Sequence, residues 1–175
     1  VHMEFTVVSV PTSDGRAAGV FGYDRQRGGF KLFRAAAIVL ATGGIGRAYR
    51  ITSNSWEGTG DGHSLAYHAG AELIDMEFIQ FHPTGMIWPP SVQGILVTEG
   101  VRGEGGILLN KDGRRFMFDE IAELDRKQTA DNEEEGWRYT QGDKSARRPP
   151  ELLTRDHVAR CIVREIKAGR GSPHG

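Results

Sequence analysis

Apolar and β-branched residues recur in short runs along the first part of the chain. Glu4–Val10 and Ala17–Tyr23 are two such runs, separated by the turn cluster Pro11-Thr12-Ser13-Asp14-Gly15-Arg16. Phe30–Arg34 follows Arg27-Gly28-Gly29 as a third. Runs of this length bounded by turn residues predict strands, and three at this spacing predict an antiparallel meander. Ala35–Ala41 changes the pattern. It is continuously apolar, as expected of a strand buried on both faces of a parallel sheet, and it ends in Thr42-Gly43-Gly44-Ile45-Gly46.

Thr52–Gly62 is polar and turn-rich and leads into a helical pattern over His63–Ala71, with Leu65, Ala66 and Ala69 on one face. Asp61 at the start of that pattern reads as a cap accepting backbone N–H groups, or as a carboxylate meeting a ribose or ribityl hydroxyl. His63 and His68 are five positions apart and do not share a helix face as metal ligands would, so no metal site is read here. Glu72–Phe81 alternates imperfectly into His82, and Ile95–Thr98 predicts a short strand. Ile107–Asn110 and Arg114–Met117 flank Lys111-Asp112-Gly113 and predict a β-hairpin. Residues 119–150, acidic at Asp131–Gly136 and basic then proline-rich at Ser145–Pro150, predict solvated loop or peripheral helix. Thr154 predicts an N-cap for a helix with Val158, Cys161, Ile162 and Ile166 on its apolar face, stopped by Gly169.

The chemistry concentrates in Ile79–Gly106. Gln80-Phe81-His82-Pro83-Thr84-Gly85 places a histidine at the end of an apolar segment and stops it with proline. Leu96–Gly106 (LVTEGVRGEGG) sets a hydroxyl, two carboxylates and an arginine among glycines, which permit close backbone approach to a ligand. A pocket for a small anion needs such a set: an arginine fork, directional donors from His and Thr, and free backbone N–H groups. Arg155 lies in the first turn of the last helix, where the macrodipole makes a cation less welcome. His82, Thr98, Glu99, Arg102 and Arg155 together suit a small dicarboxylate. On residue types alone, a structural Arg102–Glu99 ion pair and a core histidine at His82 remain open readings.

Composition narrows the classes. A formal net charge of -1 over 175 residues argues for neither nucleic acid nor a membrane surface. Glycine supplies 24 of the 175 residues, against ~7% in ordinary proteins, which suggests tight turns or a cofactor lying on backbone. The single Cys161 excludes an internal disulfide framework. Ala35–Ala41 falls far short of the ~20 residues that span a bilayer, so no direct membrane insertion is expected. The chain opens without an initiating methionine, on a strand already under way, and reads as an internal piece of a longer protein.

The motifs ATGG (Ala41–Gly44), TGDG (Thr59–Gly62), QFHPTG (Gln80–Gly85), TEGVRGEGG (Thr98–Gly106), KDGRRFM (Lys111–Met117) and RDHVAR (Arg155–Arg160) occur in one order along nearly the whole chain. In this the sequence resembles the flavoprotein subunit of succinate dehydrogenase and its fumarate reductase relatives, most of all the actinobacterial type. The resemblance implies a mixed α/β and α+β fold. Residues 1–78 would be part of a Rossmann-like FAD-binding domain that includes the meander, and 79–175 part of the α+β capping domain that closes over substrate. It implies FAD as cofactor, with contacts from Thr42, Gly43, Thr59, Gly60 and Asp61, and with the covalent-attachment histidine outside this chain. His82 and Thr98 match substrate-carboxylate contacts. Arg155 matches the proton-transfer residue, and Glu99 and Arg102 match the relay leading to it. Succinate and fumarate are the implied substrates. The implied partners are membrane anchor subunits together with an iron–sulfur subunit, placing the protein at the cytoplasmic face of the plasma membrane. Turnover in the fumarate-reducing direction, a soluble L-aspartate oxidase-like enzyme, and a non-catalytic interaction module on the same fold are the alternatives. The 175-residue chain alone is expected to be inactive.

Overall fold

The computed structural model describes residues 1–174 and divides into two compact units, Val1–Phe78 and Ile79–Gly175. In the first, strands β1 (Phe5–Ser9), β4 (Gly19–Asp24) and β5 (Phe30–Arg34) form an antiparallel sheet in the order β1-β4-β5. The predicted meander is therefore present, with Phe5 opposite Asp24 and Val20 opposite Phe33. Between β1 and β4 the turn cluster makes a small hairpin of its own, β2 (Thr12–Ser13) and β3 (Arg16–Ala17). Asp14 and Gly15 both have positive φ, 51° and 73°, the twist of a type I′ turn that suits a two-residue connection. Gly22 has no room for a side chain, because a β-carbon there would sit 2.0 Å from the carbonyl oxygen of Thr6 on the neighbouring strand.

Ala35–Ala41 is not a buried strand. No strand pairs with it among the described residues, and Val39 is 89% exposed. Continuous apolarity gives a chain the character to be buried, but a strand also needs neighbours to bond its N–H and C=O groups. The helix predicted over His63–Ala71 begins earlier, as α1 (Asp61–His68). Its N-cap is Gly60 in the left-handed region at φ 88°, so Asp61 is the first helical residue rather than the cap.

The second unit is built around short helices, α2 (Glu99–Gly103), α3 (Glu133–Thr140) and α4 (Arg155–Lys167), with 3-10 segments between them. The strand predicted at Ile95–Thr98 is reduced to an isolated bridge between Gly85 and Leu96. The hairpin predicted at Ile107–Met117 keeps only its turn. Asn110 Oδ1 accepts from the N–H groups of Asp112 and Arg114, and Gly113 takes φ 75°. Phe116–Glu120 then winds into a 3-10 helix, which carries Phe116 and Met117 inward instead of along a strand.

Those two side chains join Leu153, Val158 and Cys161 in the buried core, with Leu108 and Ile162 packed against it. Fully burying an apolar side chain of this size contributes about 1.5–3 kcal/mol. Ile166 is half exposed and lies at the edge of this face. α4 ends in a Schellman motif: Gly169, at φ 73°, donates to the carbonyl of Ile166, and Arg170 to that of Glu165. Residues 119–150 are more than a solvated surface. Thr129 and Ala130 are fully buried, and Asn132 caps α3 by accepting from the Glu135 N–H at 2.9 Å.

Candidate functional site

The glycine-rich loop after Ala41 and the loop before α1 lock together. Gly62 is buried, and a β-carbon on it would lie 1.9 Å from Thr42 Oγ1. A β-carbon on Gly60 would meet the Ile45 side chain at 2.9 Å. The N–H of Arg47 donates to the Gly58 carbonyl at 2.9 Å, and its guanidinium stacks over Trp56 at 3.4 Å. The two loops thus bring together all five residues expected to touch a nucleotide cofactor: Thr42, Gly43, Thr59, Gly60 and Asp61. Gly43, at φ 73°, and Gly44 face open space, the bare backbone that a flat or anionic group needs for close approach. Asp61 is exposed and accepts from Thr59 Oγ1 at 2.9 Å, so one carboxylate and one hydroxyl stand together at the start of α1. His63, an ordinary polar position by sequence, has its Nδ1 buried with no hydrogen-bond partner. Open glycine backbone, a carboxylate for sugar-type hydroxyls and a buried unpaired polar atom fit a dinucleotide cofactor.

In the second unit the polar residues converge on the start of two helices. Thr98 occupies the N-cap position of α2, its side chain exposed and making no capping bond. Glu99 opens that helix. Arg155 opens α4 and donates through Nε to Glu99 Oε2 at 3.1 Å. Arg102 Nη2 lies 3.8 Å from the same oxygen, outside hydrogen-bond range. One carboxylate therefore sits between two guanidinium groups. The cation that the macrodipole disfavours in the first turn of α4 is compensated by Glu99.

Arg102 is 2% exposed. Its Nη1 donates to the carbonyl of Glu151 at 2.5 Å, while Nε and Nη2 have no hydrogen-bond partner. Burial, above all, lowers its pKa, against the opposing pull of Glu99. His82 is half-buried, and its Nδ1 accepts from the Thr84 N–H at 3.3 Å. The proton of the neutral ring is thereby placed on Nε2, which remains a donor. Burial pushes the His82 pKa below its ordinary value, and the positive charges of Arg102 and Arg155 push it further. His82 thus lies within the electrostatic reach of both arginines. The cluster offers a neutral imidazole donor, a free threonine hydroxyl and two guanidinium groups around a single acid, which is donor-rich chemistry suited to carboxylates.

An apolar groove of about 610 Å³ runs between Ile79–Pro83 and one face of α4. It includes His82 but none of Glu99, Arg102 and Arg155. Sequence reading missed two residues beside the cluster. Glu151 is fully buried and takes a two-point fork from Arg115, Nε to Oε1 at 2.7 Å and Nη2 to Oε2 at 2.9 Å. The signal was a lone carboxylate between Pro149-Pro150 and Leu152-Leu153, a stretch with no reason to expose it.

A family model described as FAD binding domain matches residues 1–175. The chain is 44% identical over 172 residues to a subunit of the fumarate reductase (CoM/CoB) of Methanothermobacter marburgensis, covering 98% of this chain and 27% of the relative. It is 39% identical over 169 residues to the succinate dehydrogenase flavoprotein subunit of Rickettsia conorii, covering 97% and 24%. Among solved structures it is similar to a chain of E. coli quinol fumarate reductase, at TM-score 0.73 and 34% identity over 98% of this chain and 26% of that one. It is also similar to Mycobacterium smegmatis Sdh1 in complex with UQ1, at TM-score 0.55 and 53% identity over 97% and 24%. The chain spans about a quarter of the length of these relatives. It belongs to the FAD binding domain family of the succinate dehydrogenase and fumarate reductase flavoprotein subunits, whose cofactor is FAD.

Proposed function

We propose that the chain is part of the flavoprotein subunit of a succinate dehydrogenase, which oxidises succinate to fumarate. Residues 1–78 contribute to the FAD-binding domain and 79–175 to the capping domain. Thr42, Gly43, Thr59, Gly60 and Asp61 would hold FAD, which supplies the hydride acceptor when bound. His82, through its Nε2–H, and Thr98, through its hydroxyl, hold a substrate carboxylate. Arg155 moves the proton at the substrate carbon, and Glu99 and Arg102 connect it to the rest of the protein. The observation that carries this reading is the shared carboxylate: Glu99 Oε2 lies 3.1 Å from Arg155 Nε and 3.8 Å from Arg102 Nη2. The 3.1 Å contact is short enough for proton exchange between Arg155 and the Glu99 carboxylate, and Arg102 stands beside the same oxygen as a second positive charge.

Electrons would pass to an iron–sulfur subunit, then to membrane anchors, with the flavoprotein peripheral at the inner face of the plasma membrane. No helix among the described residues is long and apolar enough to cross a membrane. Relatives named for both succinate dehydrogenase and fumarate reductase support the four-carbon dicarboxylate, and the oxidative direction is our choice between them. The test is anaerobic titration of the FAD-loaded full-length protein. Succinate should bleach the flavin, and fumarate should restore its colour after dithionite reduction. Bleaching by L-aspartate and not by succinate would replace this reading with an L-aspartate oxidase.

A further inference from the structure

We infer that the buried Arg115–Glu151 pair is a positioning device that fixes Arg102 and Arg155 against Glu99. Glu151 serves two partners at once. Its carboxylate takes the fork from Arg115, and its backbone carbonyl accepts the Nη1–H of Arg102 at 2.5 Å. The 3-10 turn Pro150–Leu152, closed by the Leu152 and Leu153 N–H groups bonding to the carbonyls of Pro149 and Pro150, runs straight into Thr154 and α4. Arg155 therefore starts from the same anchored backbone. A ring closes: Arg115 holds Glu151, Glu151 holds Arg102 through its carbonyl and Arg155 through the chain, and both arginines face Glu99. Arg115 is itself held, its guanidinium over the Phe118 ring at 4.7 Å and 4.0 Å from Glu133 at the start of α3.

Stability alone does not account for this pair. A buried ion pair is often replaced by apolar residues at no loss, because desolvating two charges costs about as much as their attraction returns. What an apolar pair cannot do is fix a guanidinium fork in one plane, and with it the orientation of the Glu151 carbonyl. Arg102 has only that one directed hydrogen bond, so its aim depends on where the carbonyl points.

The inference rests on the relay reading above, and the experiment separates the two. Three variants of the FAD-loaded full-length protein are compared: Arg155→Gln, Arg115→Lys, and the apolar double variant Arg115→Met/Glu151→Leu. Arg115→Lys keeps the charge and loses the fork. It should lower kcat by about 10²-fold, the cost of roughly a 1 Å misplacement. KM for succinate and flavin content should stay unchanged, and the solvent deuterium isotope effect on kcat should rise. The double variant should recover the melting temperature of the parent yet keep the low kcat. Native kcat and isotope effect in the folded double variant would overturn the inference. If the double variant does not fold, native values in Arg115→Lys overturn it alone. Full activity of Arg155→Gln at saturating succinate would remove the relay and this inference with it. Loss in Arg155→Gln beside native kinetics in the other two would remove the positioning role and leave the relay standing.

Discussion

Thr42 Oγ1 occupies the space in which a side chain on Gly62 would begin: a β-carbon there would lie 1.9 Å from it. The contact ties the loop after Ala41 to the first turn of α1, and with it the two groups of cofactor-binding candidates. Gly62→Ala should therefore force the loops apart. Overpacking of this kind costs about 1–3 kcal/mol. The full-length protein should melt lower and hold less flavin. Adding Thr42→Ala should recover part of the melting temperature, since it removes the oxygen at 1.9 Å and the methyl at 3.2 Å while leaving the Thr42 β-carbon at 2.9 Å. Thermal denaturation and the flavin-to-protein absorbance ratio check both.

Local chemistry was legible in the sequence, and partnership was not. The Asp14-Gly15 turn, the Gly169 stop and the glycine motifs at Gly43 and Gly60 each follow from a few adjacent residues. Ala35–Ala41 failed as a strand because its state depends on neighbours along a sheet edge, not on its own apolarity. The Arg114–Met117 arm failed because Phe116 and Met117 found a core with Val158 and Cys161, and a 3-10 turn delivers both side chains to it. The Glu99–Arg155 contact spans 56 positions and came from motif resemblance, not from spacing. Glu151 showed only as a lone carboxylate among prolines and leucines, and nothing in its own segment indicates Arg115 as the partner 36 positions away.

The second unit should be acid-sensitive in a defined window. Glu135 is held at a pKa of about 2 by the Arg147 side chain, and Glu165 at about 2 by Arg170 and then Asn110. In the unfolded chain both carboxylates bind protons near 4.5. Between about pH 4.5 and 2 the unfolded state takes up more protons, so the stability these groups contribute above 4.5 is lost as pH falls. Glu135→Gln and Glu165→Gln should each be less stable at neutral pH and show a shallower loss on acidification. Denaturant unfolding at a series of pH values measures this, and a slope identical to that of the parent would exclude it.

His82 should be neutral in the working protein. Burial first, then Arg102 and Arg155, lower its pKa, while Glu99 raises it. Removing the acid by Glu99→Gln should move the imidazole titration lower still, read by NMR with His82→Asn assigning the resonance. Stability linked to neutral His82 is present above the ordinary imidazole pKa and is lost as pH falls through the lowered one. His82→Ala should raise KM for succinate and also reduce kcat, because orientation is lost together with binding. A variant with native kinetics and a lowered melting temperature would assign His82 to packing alone.

Arg155 gives the sharpest test of the relay. Its backbone is anchored by Val158 and Cys161, which are fully buried on α4, so substitutions of its half-exposed side chain should leave the helix in place. Arg155→Gln keeps a polar side chain, shorter than arginine, and removes the transferable proton. Turnover should fall by about 10²–10⁴-fold, the range for loss of a general acid–base. Arg155→Lys keeps a charge and a titratable proton on a shorter reach and should retain more activity than the glutamine variant. Flavin content should be unchanged in both, because Thr42, Gly43 and Asp61 are untouched. If Arg155 only bound substrate, saturating succinate would return most of the kcat of Arg155→Gln, since a binding defect appears in KM. Measuring kcat and KM for both variants at matched flavin occupancy decides the matter: recovery at saturation would take the proton-transfer role from Arg155, and a low kcat at every succinate concentration would keep it there.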